Sequence, residues 1–157
     1  MADVAAAKDI FQSLCKMLDN RNWKYNKHED ELVVTCSVKG DDFNIDLIIR
    51  IIVENEVVSV ISFMPFEIPE DKRVDIALAV CAANYGIVDG SFDYNIVNGN
   101  LYFRMTSSFK DTVLSEELLA YMVFVSSITV DKYNDKFFMI AKGMLSVDDF
   151  IKSEHKD

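Results

Sequence analysis

The side chains that could carry catalytic or metal chemistry are few and scattered. The sequence has two histidines, His28 and His155, and three cysteines, Cys15, Cys36 and Cys81. Nucleophilic catalysis needs a base oriented beside a serine or cysteine, but His28 falls next to a predicted turn and His155 in a charged tail. Zinc sites use clustered Cys and His ligands, which three isolated cysteines do not supply. We therefore predict no catalytic residues, no metal site and no cofactor, and Cys15 and Cys81 as buried packing residues.

One polar pattern resembles the start of a calcium loop. Oxygen-bearing side chains alternate at Asp89, Ser91, Asp93 and Asn95. A calcium loop also needs glycine at its sharp turn and a closing carboxylate, but those positions hold Tyr94 and Asn100. Polar residues of a turn and a strand are the favoured interpretation.

Two arginines fall inside predicted strands among apolar residues. Arg50 and Arg104 could contact an anion or a carboxylate of a ligand, because guanidinium groups suit that geometry. The favoured alternative is that each pairs across the sheet with an acid such as Asp46 or Asp93.

Size and charge narrow the class of protein. The 157 residues fit one domain with a substantial core, predicted as one domain over residues 1–157 with its core at about 3–142. Sixteen basic against 26 acidic residues give a net charge of −10, which disfavours nucleic acid as a partner. The most apolar stretch, residues 118–130, is too short to cross a bilayer, so no membrane partner is expected. Few, unclustered cysteines favour the reducing cytoplasm.

The elements that must position these residues follow from periodicity and turn signals. A helix is predicted at about residues 3–20, capped by Asp3. Three strands separated by turn residues follow at 32–38, 43–53 and 57–66. In the second strand one face is uniformly apolar, and the other mixes Ile48 and Ile52 with charged residues, so it is half solvated or used against a partner. An additional strand at 23–27 is left open.

The second half of the chain is predicted to contain a helix, two strands and two further helices. A helix from Pro69 to Tyr85 precedes strands at 91–97 and 101–106, which flank the hairpin signal Asn98-Gly99. Ser115 caps a long helix running toward Lys142, and a short helix and charged tail occupy 146–157. The predicted class is α+β, an antiparallel sheet with helices packed on it in the order α-β-β-β(β)-α-β-β-α.

The second and third helices carry more apolar surface than one sheet face needs to cover. The second helix has two apolar stripes, and the third is apolar almost all round between residues 118 and 125. We predict a partner or dimer surface on these helices formed by Ile76, Val80, Ala83, Leu119 and Val123.

Several short motifs resemble the YbjN domain family of bacterial proteins. They are Ala83-Asn84-Tyr85-Gly86, Gly90-Ser91-Phe92-Asp93-Tyr94, Asn98-Gly99-Asn100-Leu101-Tyr102-Phe103-Arg104 and Asp131-Lys132-Tyr133. The resemblance implies a fold like that of type III secretion chaperones, commonly dimeric, and a role in sensory transduction or stress regulation. It brings no catalytic residues.

Together these observations predict a non-enzymatic, dimeric protein-binding module with an unidentified protein partner. Two alternatives stay open. The chain could be a secretion-type chaperone for an effector, or a small-ligand-binding domain with a pocket between sheet and helices.

Overall fold

A six-stranded antiparallel sheet organises the chain in the computed structural model, which describes residues 4–155. The strands are β1 Tyr25–His28, β2 Val33–Lys39, β3 Asn44–Ile52, β4 Val57–Phe63, β5 Ser91–Asn95 and β6 Asn100–Ser108. The helices are α1 Val4–Asn20, α2 Arg73–Tyr85, α3 Glu116–Ala141 and α4 Val147–Glu154. The strand order β1-β2-β3-β4-β6-β5 and the helices between the ribbons confirm the α+β prediction. The additional segment near residue 25 is a strand at the sheet edge.

The helices pack on one face of the sheet. Helix α3 crosses β3, β4 and β6, with α1 against β3 and α2 against β5. The β3 side chains that face the helices are buried and the opposite ones are not, as the alternation in the sequence predicts. Leu47 and Ile49 lie at the centre of the buried face. The other face of the sheet has no helix over it within residues 4–155.

Helix boundaries follow the capping residues. Ser115 Oγ accepts a hydrogen bond from the Leu118 N–H at 3.1 Å, and Ser146 Oγ accepts one from the Asp149 N–H at 3.1 Å. Both pairs satisfy a first-turn amide that has no partner inside its helix. The predicted cap Asp3 lies outside the described residues.

The β5–β6 connection is longer than the Asn98-Gly99 signal predicts. Strand β5 ends at Asn95, whose Oδ1 accepts hydrogen bonds from the amides of Val97 at 3.0 Å and Asn98 at 3.4 Å. This side-chain turn bends the chain before the expected two-residue hairpin, so residues 96–97 leave the strand. Gly99 still lies in the turn, where it adopts a positive φ of 79° that glycine accommodates readily.

Candidate protein-binding surfaces

The five residues predicted to form the partner surface are buried inside the single chain. Exposed fractions run from 0% to 7% for Ile76, Val80, Ala83, Leu119 and Val123. They face inward because α2 is enclosed by contacts with α3, α4 and β5, and α3 lies across the sheet. The predicted surface is therefore wrong, because its residues lie on the buried stripe of each helix. The surface available to a partner consists of other residues.

The apolar stripe that α2 presents to solvent is its other one. It is formed by Val74, Leu78, Cys81 and Tyr85, which we call the α2 face. Their spacing of four, three and four residues places them in one row along the helix. Val74 is 62% exposed, Leu78 49% and Tyr85 84%. Since no charged residue occurs between Asp75 and Tyr85, the middle of this row is without charge.

A second exposed apolar row lies on α3. Tyr121, Phe124 and Ile128 form this α3 face, and Phe124 is 61% exposed. A cleft of about 250 Å³ borders it where Trp23 and Met17 approach α3. The Tyr121 hydroxyl donates a hydrogen bond to Asp89, and that carboxylate raises the pKa of the Tyr121 phenol. The phenol thus remains a donor that fixes the ring on the surface.

The uncovered face of the sheet carries a smaller apolar strip. Ile48 pairs with Ile61 across β3 and β4, and the Phe63 and Tyr102 ring centroids lie 5.2 Å apart. Phe63 is half exposed at the end of β4. The mixed composition predicted for this face is present.

The two strand arginines have different surroundings. Arg104 Nη2 lies 2.7 Å from Asp93 Oδ2, which is the cross-strand ion pair favoured from the sequence. Arg50 has no ion-pair partner among residues 4–155; it shares a shallow cleft with three carboxylates, of Asp30, Glu31 and Glu54. Neither setting favours an anion, because Arg104 already contacts a carboxylate and the Arg50 cleft has an excess of negative charge.

The side chains of the calcium-like pattern have partners within the protein. Asp89 accepts from Tyr121, Asp93 contacts Arg104, and Asn95 turns the chain toward β6. Ser91 donates from its hydroxyl to Asp93 at 3.1 Å. Within the described part of the chain no three His, Cys, Asp or Glu residues are grouped to hold a metal ion.

The thiols and imidazoles lie apart from one another in different surroundings. Burial raises the pKa of Cys15, and it raises that of Cys36 to about 11, with Asp46 adding to the effect. Both thiols therefore stay protonated at neutral pH. Cys81 is exposed on the α2 face, so the prediction that it is buried is wrong. His28 is exposed on β1, and the His155 ring packs 5.3 Å from that of Tyr85.

The helices of residues 4–155 include none with the length and hydrophobicity that spanning a bilayer requires.

This sheet, with helices on one face in this order, defines a secretion-chaperone-like fold, and the sequence points to one family within it. The sequence model of YbjN, described as "Putative bacterial sensory transduction regulator", matches residues 11–139. The chain belongs to the YbjN family. No curated protein matches the sequence significantly.

Solved structures show the same fold at low sequence identity. The crystal structure of YbjN from E. coli, described as "a putative transcription regulator", matches with a TM-score of 0.60 and 14% sequence identity, and the match covers 84% of this chain and 92% of that one. The structure of the ExsC-ExsE complex matches with a TM-score of 0.57 and 11% sequence identity, and the match covers 86% of this chain and 96% of that one. The structure of the HopA1-SchA chaperone-effector complex matches with a TM-score of 0.52 and 12% sequence identity, and the match covers 84% of this chain and 96% of that one.

Proposed function

We propose that this chain is a non-enzymatic protein-binding module of the cytoplasm that acts as a homodimeric adaptor or chaperone-like regulator. The α2 face carries the proposal. Its four side chains form an exposed row on a rigid helix, and a contiguous apolar patch on a soluble domain is typical of an interaction site.

The charge distribution favours a second copy as the occupant of the α2 face. The chain has a net charge of −10, so most pairs of surfaces on two copies would bring carboxylates together. The α2 face avoids that repulsion because the helix has no charged residue between Asp75 and Tyr85. A two-fold symmetric contact would pack this row against itself, with Leu78 and Cys81 near the axis.

Three further observations support a binding role over an enzymatic one. The chain belongs to a family described as regulatory, and its fold resembles that of proteins in an ExsC-ExsE complex and in a chaperone-effector complex. The thiols of Cys15 and Cys36 have raised pKa values. The likeness to a chaperone in complex with its effector also supports the second candidate function, a chaperone for a secreted effector.

Sedimentation equilibrium at micromolar concentration tests the homodimer. We expect the wild-type chain to have twice the monomer mass. Leu78→Glu should convert it to a monomer with unchanged circular dichroism, because it places two carboxylates face to face in an apolar contact. Val113→Glu is the matched control, since Val113 is 89% exposed in the loop before α3.

The result that overturns the homodimer is a wild-type chain that sediments as a monomer across the concentration range. A dimer that Leu78→Glu leaves intact would place the contact elsewhere than on the α2 face. To test the chaperone function, the chain is expressed with proteins encoded beside its gene. Stoichiometric co-purification of one such protein supports that function, and co-purification of none contradicts it.

A further inference from the structure

Helix α4 covers a groove between α2 and α3 and inserts one aromatic side chain into it. Phe150 is 1% exposed, and its ring centroid lies 6.4 Å from that of Tyr133 and 6.0 Å from that of Phe137 on α3. Helix α4 also runs beside α2, because Gly143 lies near Lys72 at one end and His155 packs on Tyr85 at the other. We call this surface the α4 groove.

A polar contact joins α3 to the C-terminal end of α4 in the groove. The buried Tyr133 hydroxyl donates a hydrogen bond to Glu154 Oε2 at 2.8 Å. Lys132 Nζ lies 4.9 Å from the centre of the Tyr133 ring, so a positive charge accompanies this donor. In a chain with a net charge of −10, this spot selects an acidic side chain.

The residues that α4 turns toward the protein form a recognition pattern. Val147 and Ile151 are half-buried and pack on the core beside Phe150. With Glu154 they stand at positions i, i+3, i+4 and i+7, which is one face of a helix. The groove therefore binds one face of an amphipathic helix that carries, in order, an aliphatic residue, an aromatic residue, a second aliphatic residue and an acidic residue.

Several features make α4 a separable occupant of the groove. It has 8 residues, and helices that short are not stable in isolation. It is joined to α3 through a short segment containing Gly143, at a φ of 71°, and the exposed Met144. The family match ends at residue 139, so both walls of the groove belong to the family domain while α4 follows it.

We infer that the α4 groove is a docking site for an amphipathic helix of a partner protein carrying this aliphatic, aromatic, aliphatic and acidic pattern, and that α4 occupies it in cis as a competing segment. The inference rests on the proposed protein-binding function and names the chemistry of the partner. A partner helix binds when α4 opens, so the strength of α4 docking sets the affinity.

The test uses the full chain and a fluorescent synthetic peptide of residues 144–157 as the probe. Weakening the docking of α4 with Phe150→Ala should tighten peptide binding, measured by anisotropy, at least about tenfold relative to wild type. A peptide carrying Phe150→Ala should not bind. Lys152→Gln in the chain is the matched control, because Lys152 is exposed on the same helix and should leave the affinity as in wild type.

A second variant and a second measurement keep the test decisive where Phe150→Ala disturbs folding. Glu154→Gln keeps an oxygen that can accept from Tyr133 but loses the negative charge that strengthens this hydrogen bond, so it should tighten peptide binding by a few fold. In wild type, amides of residues 147–154 should exchange with deuterium faster than those of α3, through local opening. The inference would be overturned if the α4 amides exchanged with deuterium only through unfolding of the whole domain. It would also be overturned if folded variants showed no gain in peptide affinity.

Failure of this inference is distinguishable from failure of the homodimer. Leu78→Glu affects the α2 face and is read out as mass, whereas the peptide reports on the α4 groove. A monomeric Leu78→Glu chain combined with Phe150→Ala should still bind the peptide.

Discussion

The side-chain amide of Asn84 pairs with both backbone polar groups of Phe92. Its Nδ2 donates to the Phe92 carbonyl at 2.9 Å, and its Oδ1 accepts from the Phe92 N–H at 2.8 Å. Strand β5 is an edge of the sheet, and Phe92 is the buried residue in it. Asn84 thus replaces a neighbouring strand at this point, blocks edge-to-edge pairing there and fixes the rotation of α2 on the sheet.

Replacing Asn84 with alanine should destabilise the fold. The change leaves two backbone groups of β5 without partners, which costs about 1–3 kcal/mol in free energy of unfolding. Urea denaturation of Asn84→Ala measures it. Asn55→Ala is the matched control, because Asn55 is exposed in the β3–β4 turn, and it should stay within about 0.5 kcal/mol of wild type. Equal stability of the two variants would show that the Asn84 pairing contributes nothing.

Much of the fold could be predicted because local signals and tertiary structure agree. Ser115 and Ser146 cap helices where the sequence indicates, and β3 buries every second residue as its alternation predicts. The Arg104–Asp93 ion pair also follows from the positions of those residues on neighbouring strands. These predictions depend only on periodicity and short-range geometry.

The partner surface could not be predicted in the same way. Helix α2 has two apolar stripes, and periodicity alone does not say which of them faces the protein. The orientation depends on Asn84, which bonds to β5, and on α4, which packs along α2. Neither contact can be predicted from periodicity. Helix α4 is far from α2 in sequence, and the bond from Asn84 to β5 depends on side-chain geometry. The sequence pattern therefore predicts Cys81 in the core, although it lies on the exposed stripe.

Gly90 should tolerate no side chain. Its φ is 79°, and a Cβ there would lie 2.4 Å from Phe103 Cζ and 2.9 Å from the Arg104 carbonyl oxygen. Because Phe103 is fully buried against Phe92, its ring cannot move away without disturbing the core. Gly90→Ala should lower the free energy of unfolding by more than about 2 kcal/mol.

The control for Gly90 lies four residues earlier. Gly86 has a helical φ of −94°, and the nearest atom to an added Cβ is 3.9 Å away. Gly86→Ala should be neutral or stabilising by up to about 1 kcal/mol, since it reduces the freedom of the unfolded chain. Thermal denaturation of both variants makes the comparison, and a stable Gly90→Ala chain would contradict the geometry.

The three thiols should differ strongly in reactivity. Cys81 is exposed, whereas burial raises the pKa of Cys36 to about 11. The thiols are titrated with a chromogenic disulfide reagent in native buffer, at a dilution that favours the monomer. Cys81 should react at once, and Cys36 should react at least about a hundredfold more slowly. Cys81→Ser should abolish the fast phase. Protection of Cys81 on raising the concentration would accompany dimerisation through the α2 face, and three equal rates would contradict the burial of Cys36.

Alkaline pH should weaken the fold partly through Tyr133. Burial first, and the hydrogen bond to Glu154 second, raise the pKa of this phenol in the folded state above its ordinary value near 10. Below about pH 10 both states keep the proton and the stabilisation is complete. Above it the unfolded state loses the proton first, so stability falls as pH rises, by up to about 1.4 kcal/mol per pH unit from this group.

The variant Tyr133→Phe separates this effect from the rest of the alkaline transition. It removes the titrating group, so urea midpoints measured from pH 8 to pH 11 should fall less steeply above about pH 10 than those of wild type. Below that pH the two chains should differ by a constant amount, about 1 kcal/mol for the lost hydrogen bond. Tyr25→Phe should act in the same direction, because burial and Asp19 raise the pKa of that phenol too. Identical slopes for wild type and Tyr133→Phe would show that the phenol titrates alike in both states, and the Tyr133–Glu154 contact would then not hold α4 in solution.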